Sequence, residues 1–256
     1  MKLEVLLSVM NLNVENLDKM NITSDCVVIN QCDKDNFVQY NNFRIFSYNE
    51  RGLSNSRNRG LDNALGDIIV LCDDDVVYNR DYEKMILDEF EKNSDADIIT
   101  FNIDSPNRKI KLNNRNKRLH FYNVLRYTSS RIAFRRESIE KNGIRFNILL
   151  GAGGKFQTGE DSVFLSDSIR KGLKIYSSTK NIGFVSQLKS TWFKGYDEKF
   201  FYDKGAVFTA ISKKFRFVLF IQYLLRHKEV LEKVKFTKAY KLMINGSRDY
   251  LKIRKM

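Results

Sequence analysis

The run Asp67-Ile-Ile-Val-Leu-Cys72 is apolar enough to be buried on both faces, and it ends abruptly in three aspartates, Asp73, Asp74 and Asp75. A short strand of this kind belongs inside a sheet, with its carboxyl end brought out where the acids are solvated or paired. Three adjacent carboxylates repel one another, and a divalent cation relieves that repulsion most simply. Continued extension would put Asp73 and Asp75 on one side and Asp74 on the other. A solvated acidic turn leading to a helix near Arg80 is the plainer alternative. The carboxyl end of a buried strand is where open α/β sheets bind ligands, and that position favours a site.

The surrounding text has the rhythm of a mostly parallel sheet flanked by helices. Strands are predicted at Glu4 to Val9, Cys26 to Asn30, Arg44 to Ser47 and Asp67 to Cys72, and helices at Val14 to Met20, Ser54 to Ala64 and Arg80 to Lys92. Ser54 reads as an N-cap and Gly66 as a stop. Tyr82, Met85, Ile86 and Phe90 recur at helical spacing and form a packing stripe. Strand-like pieces at Asp97 to Ile103 and Arg131 to Arg135 bracket a polar, basic excursion from the sheet, Asn107 to Arg118, beside the only proline, Pro106. Glycine-rich Gly151 to Gly154 precedes a helix opening at Gly159-Glu-Asp and running to about Lys171. Late strands follow at Lys174 to Ser178 and Gly183 to Gln187. The expected organisation is an α/β catalytic domain over 1–205 and a basic, amphipathic helical extension over 206–256.

Net charge is +13, and residues 213–256 carry thirteen Lys/Arg against three acids, so most of the excess lies in the extension. Phe215, Phe217, Phe220, Tyr223, Leu224 and Leu225 lie there among Lys213, Lys214, Arg216 and Arg226, the composition of an interfacial helix on anionic lipid or of a helix pair packed on the domain. No apolar stretch reaches the ~20 residues of a membrane span. The start, MKLEVLLSVMNLN, carries Glu4 and no cleavage site, so it reads as a first buried strand. Cys26, Cys32 and Cys72 form neither a paired framework nor a zinc spacing, which fits a reducing cytoplasm. No nucleic-acid module is present, and the basic residues lie away from the acidic strand end, so nucleic acid is not the expected partner. The glycine-rich Lys/Arg loop of a nucleotidyltransferase is also missing.

Ahead of the aspartates, Glu50-Arg-Gly-Leu-Ser-Asn-Ser-Arg-Asn-Arg-Gly60 turns through glycine into a helix whose first turns carry Arg57 and Arg59. Free amides at such an end attract phosphate, although ordinary surface basicity would look the same. The whole run GLSNSRNRGLDNALGDIIVLCDDD resembles the core signature of family 2 glycosyltransferases of GT-A fold, in which a Gly-x-x-x-x-Arg-Asn-x-Gly helix, a strand and an Asp-x-Asp motif follow one another. Gly159-Glu-Asp-Ser-Val-Phe164 is similar to that family's Gly-Glu-Asp-x-x-Phe motif. The opening Ser8-Val-Met-Asn-Leu-Asn13 lacks the family's proline, and the Gln-x-x-Arg-Trp motif of processive members is absent, which implies single addition.

The resemblance implies a capsule- or exopolysaccharide-type sugar transferase. Donor contacts would come from Asn11, Asp33 (nucleobase), Arg57, Asn58, Asp73 and Asp74, with Mn²⁺ or Mg²⁺ on Asp75 and Asp73. Asp161 would be the general base, with Glu160 on acceptor hydroxyls; adjacent helical residues point about 100° apart, so only one readily enters the cleft. Trp192 is either an acceptor-stacking ring or a core aromatic. Lys199 and Lys204 could close over the diphosphate, but solvated surface charge is the plainer reading of each taken singly. The expected reaction is inverting transfer from a nucleotide diphosphate sugar, with UDP the expected carrier, to a glycan or polyprenyl-linked saccharide. The expected location is peripheral on the inner face of the cell membrane, with a homodimer left open.

Overall fold

The computed structural model describes residues 1–105, 111–186 and 195–254. Its centre is four parallel strands in the order β4-β2-β1-β5: β1 (Leu3–Met10), β2 (Asp25–Gln31), β4 (Phe43–Tyr48) and β5 (Ile68–Asp73). Val5, Leu6, Leu7, Val27, Val28, Ile69 and Val70 are wholly buried, as strands covered on both faces require. Buried Glu4 is satisfied by Arg44 Nη2 at 2.5 Å and by the amides of Leu65 and Gly66 at 2.6 and 2.8 Å. Gly66 is thus fixed by this carboxylate and is not a helix stop. Helix α1 (Leu53–Asn63) has already ended.

The flanks depart from the sequence reading in instructive ways. Val14 to Met20 forms two single 3₁₀ turns instead of a helix. Asn13 caps the amide of Glu15, Asn21 takes φ 54°, and only Leu17 and Met20 are buried, too small an apolar face to sustain α-helix. An unforeseen strand, β3 (Asn36–Tyr40), forms a hairpin with β4 through Asn41 at φ 51°. Residues 111–135 are not wholly an excursion: β8 (Lys117–Leu119) pairs with β10 (Ile175–Val185), and β9 (Ile132–Arg135) inserts antiparallel between β5 and β7 (Ile98–Asp104). β10 is one long strand with register shifts where two were expected, and β6 (Val76–Tyr78) pairs antiparallel with its end.

Helix α2 (Tyr82–Lys92) buries Tyr82, Ile86 and Phe90, and Met85 is partly buried against the same core. The short helices α3 (Phe121–Val124) and α4 (Arg136–Lys141) border β9, and α5 (Glu160–Arg170) follows the glycine-rich loop. The chain ends in α6 (Glu198–Ile211), α7 (Arg216–Arg226) and α8 (Phe236–Ile253). The expected boundary at 205/206 falls in the middle of α6. This helical end shares a core with Leu150, Phe156 and Val163 of the sheet-bearing part. Helices α6 and α8 touch backbone to backbone: a Cβ on Gly205 would fall 1.9 Å from the Met243 carbonyl oxygen, and one on Gly246 1.8 Å from that of Tyr202. No helix among the described residues is long and apolar enough to cross a membrane.

Candidate active site

From β1 the chain moves outward through β2 and β4, then returns to β5 on the other side of β1. The carboxyl edge at that reversal is where α/β sheets take ligands. The register puts Met10 beside Gln31 and Ser8 beside Asp73, so Asn11, Asp33 and the acidic turn gather on one edge. Asn11 is exposed in the left-handed region at φ 51°, its amide donating to the Gln31 carbonyl at 3.1 Å. Asp33 is exposed and paired with Arg51 at 2.5 Å.

Asp73 is the last residue of β5, and Asp74 and Asp75 form the turn into β6. The strand alternation expected to put Asp73 and Asp75 on one side therefore does not continue through the three acids. Both Asp73 oxygens accept protein hydrogen bonds, Oδ1 from Arg57 Nη2 at 3.1 Å and Oδ2 from Ser129 Oγ at 2.7 Å. Asp73 is thus engaged by protein donors where a metal ligand had been expected. Asp74 is exposed at the turn, yet partial desolvation by the surrounding protein, then the neighbouring Asp73 charge, raises its pKa. The Asp75 carbonyl accepts from the amide and hydroxyl of Ser186 at 2.7 and 2.9 Å, pinning the turn.

The centre of the site is Arg57, 2% exposed, on α1. Its Nη1 donates to Asp161 Oδ1 at 2.7 Å and Glu160 Oε1 at 3.4 Å, its Nη2 serves Asp73, and it lies 5.3 Å from the Phe146 ring centroid. The sequence implied an arginine touching the donor. The structure has one shut inside a ring of three carboxylates, which satisfy the donors of a desolvated guanidinium. Burial works against its charge, but Asp161, Asp73 and Glu160 outweigh that, and its pKa is raised.

Gly159, at φ 85°, opens α5 and leaves no room for a side chain: its Cβ would meet Val207 at 2.5 Å. Glu160 and Asp161 follow in the first turn and, contrary to the divergence expected of neighbours, both reach the same guanidinium. Asp161 Oδ2 accepts from the Ser129 amide at 2.9 Å. One cation cannot neutralise three clustered carboxylates, two of them largely buried. Burial, opposed by Arg57 and reinforced by Glu160 and Asp73, raises the Asp161 pKa to about 7.

Asn58 gives its Nδ2 to the Phe146 carbonyl and takes the Phe146 amide on Oδ1, both at 2.9 Å. It clamps the loop before Gly151 instead of serving a donor. Ser54 does not cap α1; Gly52 does, at φ 115°, while the Ser54 hydroxyl donates to the Leu150 carbonyl at 2.8 Å. Lys199 pairs with buried Asp203. Trp192 lies outside the described residues. Sequence reasoning missed Ser129, which joins Asp73 to Asp161; it sits in an irregular stretch with no motif around it, so nothing in the text marked it.

Among the described residues no group of three or more His, Cys, Asp or Glu is placed to hold a metal alone. The donor set at the turn is hard oxygen on Asp74 and Asp75, which suits Mg²⁺ or Mn²⁺ shared with a substrate's phosphates, since these ions commonly take one or two carboxylates and complete their shell from the ligand.

The profile of Glycosyl transferase family 2 matches residues 17–158, more than half of the chain. Among curated proteins none matches. Similar solved structures include residues 1–349 of S. aureus TarS (TM-score 0.67, 15% identity, 98% of this chain and 80% of that one). The same protein with UDP-GlcNAc gives TM-score 0.68 at 15% identity, covering 98% and 81%. The mannosyltransferase PcManGT from Pyrobaculum calidifontis, with GDP-Man and Mn²⁺, gives 0.55 at 15% identity, covering 98% and 75%.

Proposed function

Because the chain belongs to glycosyl transferase family 2 and has the GT-A fold, and is thus a glycosyltransferase, we propose that it performs inverting, metal-assisted transfer of one sugar from a uridine diphosphate sugar to a glycan or polyprenyl-linked saccharide. One observation carries this: a single buried guanidinium ties the end of β5 to the start of α5, so the two sequence motifs, 104 positions apart at Arg57 and Asp161, form one site. UDP-GlcNAc in the TarS structure supports a uridine donor.

In this reading the donor lies along the carboxyl edge of β1, β2 and β5, with its base near Asp33 and its ribose near Asn11. Asp74 and Asp75 would hold Mn²⁺ or Mg²⁺, which when bound offsets the negative charge growing on the departing diphosphate. Asp161 takes the proton from the acceptor hydroxyl as that oxygen attacks the anomeric carbon from the face opposite the leaving group. Each Asp161 oxygen already accepts one hydrogen bond, from Arg57 or from Ser129, and keeps a second lone pair for the incoming proton. Those two donors fix the carboxylate's orientation, which general-base catalysis worth roughly 10²–10⁴-fold requires. Glu160, on the same guanidinium, stands beside it to contact acceptor hydroxyls.

We place the protein on the inner face of the cell membrane, in synthesis of a capsule-like polysaccharide. The support is α7: Phe217, Val218, Ile221 and Leu225 are exposed along one face, next to exposed Phe215, with Lys213, Lys214, Arg216, Arg226 and Lys228 around them. A panel of nucleotide sugars, each with and without Mn²⁺, tests the activity. One donor should raise the melting temperature only with metal and should release nucleoside diphosphate slowly. Release of pyrophosphate, or no donor response across the panel, would overturn the reading.

A further inference from the structure

A cavity lies away from the donor edge. It encloses about 870 Å³ between residues 111–126, the start of α5 at Ser162, α6 from Lys204 to Ile211, and one face of α7. No residue of β1, β2, β4 or the aspartate turn lines it. Its lining carries six cations, Lys111, Arg115, Lys117, Arg126, Lys204 and Arg226, and no aspartate or glutamate among the described residues. None of the six belongs to an ion pair among the described residues. Elsewhere most arginines on the sheet-bearing part have carboxylate partners, Arg44, Arg51, Arg59, Arg136 and Arg145 for example.

Lys111, Arg115, Arg126 and Arg226 are exposed, Lys117 and Lys204 half-buried, and of the six Lys204 feels a nearby acid, Glu160; an anionic ligand seated among them would replace water as their counter-charge. The volume suits a ligand of drug size, and neutral sugar rings filling it would leave the charges uncompensated. Phosphate supplies more charge in less space than one carboxylate per sugar, and it accepts the paired N–H donors of arginine. Lys204 is the most enclosed: its Nζ lies 5.5 and 5.6 Å from the ring centroids of Phe200 and Tyr223.

The cavity wall is also tied to the helix that carries the proposed base. Ser162, next after Asp161, donates from its hydroxyl to the Leu125 carbonyl at 3.1 Å, joining the cavity wall to α5. The same wall segment continues to Ser129, which holds both Asp73 and Asp161. Resting on the glycosyltransfer reading above, we propose that this cavity is the acceptor subsite and that the acceptor carries phosphate, as a phosphodiester or as a lipid-linked pyrophosphate.

The test uses the full chain and three charged probes: short linear inorganic polyphosphate, geranyl pyrophosphate and oligogalacturonate, with dextran as the neutral control. Binding is followed by calorimetry at several salt concentrations. Wild type should bind a phosphate probe, more weakly as salt rises, and dextran not at all. The Arg115→Gln/Lys117→Gln/Arg226→Gln variant should bind at least about tenfold more weakly. A charge-matched control, Lys34→Gln/Lys141→Gln/Lys171→Gln, removes exposed lysines that do not line the cavity and should stay within about twofold. Preference for polyphosphate points to a polymer and preference for geranyl pyrophosphate to a lipid carrier; either supports the subsite. Equal loss in the control variant, or tighter binding of oligogalacturonate, overturns it. Nucleotide-sugar stabilisation should persist in the cavity variant. If it is absent from wild type as well, the glycosyltransfer reading fails separately, and phosphate binding then marks a site without an acceptor role.

Discussion

The pH dependence of transfer gives the sharpest test of the carboxylate ring around Arg57. Asp161 has its pKa raised to about 7, against an ordinary aspartate value of about 3.9. Only the ionised form can accept the acceptor's proton, so activity should rise with pH through that value and level off above it. Each unit below the midpoint removes about tenfold, so kcat/KM should fall on the order of a hundredfold from pH 8 to pH 5. Stability should move the other way. Between pH 4 and 7 the folded chain keeps a proton that the unfolded chain has lost, so this group's contribution declines as pH rises through that window and is constant above it. Arg57 pulls the Asp161 pKa down against burial, so Arg57→Lys, which cannot serve Asp73 and Asp161 with one planar fork, should move the activity midpoint upward. The assay is the initial rate of nucleoside diphosphate release at constant ionic strength, with donor binding measured by thermal shift at each pH. A midpoint near 4, or a rate independent of pH from 5 to 8, would refute the assignment of Asp161 as an enclosed base.

Asp75→Ala should abolish the Mn²⁺-dependent part of donor stabilisation while the free protein keeps a cooperative melting transition; a donor shift that survives would remove Asp75 from the metal site. Gly246→Ala drives a methyl into the Tyr202 carbonyl and should cost at least about 1–3 kcal/mol by overpacking, read as a lower urea midpoint; an unchanged midpoint would mean that α6 and α8 do not meet there. Phe217→Asp/Ile221→Asp removes exposed apolar groups from α7 and should eliminate sedimentation with vesicles rich in phosphatidylglycerol without altering transfer to a soluble acceptor; unchanged sedimentation would exclude α7 as the docking face.

What the sequence made legible follows from the range of the interactions involved. β5 and its aspartates, α1 with Arg57, and α5 with Glu160 and Asp161 were readable because apolar runs, glycines and charges repeat locally at strand or helix spacing. β9 was readable as a strand but not in its place, because its neighbours β5 and β7 lie far away in sequence. The expected helix after β1 failed on local grounds, its asparagines favouring turns over α-helix. Roles suffered more than positions. Arg57 and Asn58 are adjacent in one motif, yet one is enclosed by carboxylates and the other clamps the backbone of Phe146, a difference set by which side of α1 each occupies.

That division explains why the two halves of the proposed chemistry depend on each other. Arg57 reaches Asp73 with one nitrogen and Asp161 with the other, and Ser129 reaches the same two acids with its hydroxyl and its amide. A shift of β5 against α5 large enough to part Arg57 or Ser129 from one of the two acids would leave the buried guanidinium or the largely buried Asp161 short of a partner, which is costly. In the proposed reaction these bridges would hold the donor edge and the base at one separation before either substrate arrives, which is the preorganisation that electrostatic catalysis needs. Ser129→Ala removes only the hydroxyl half of the second bridge, so it should weaken the coupling while leaving the amide on Asp161 in place. Its expected signature is a lower kcat with donor KM nearly unchanged.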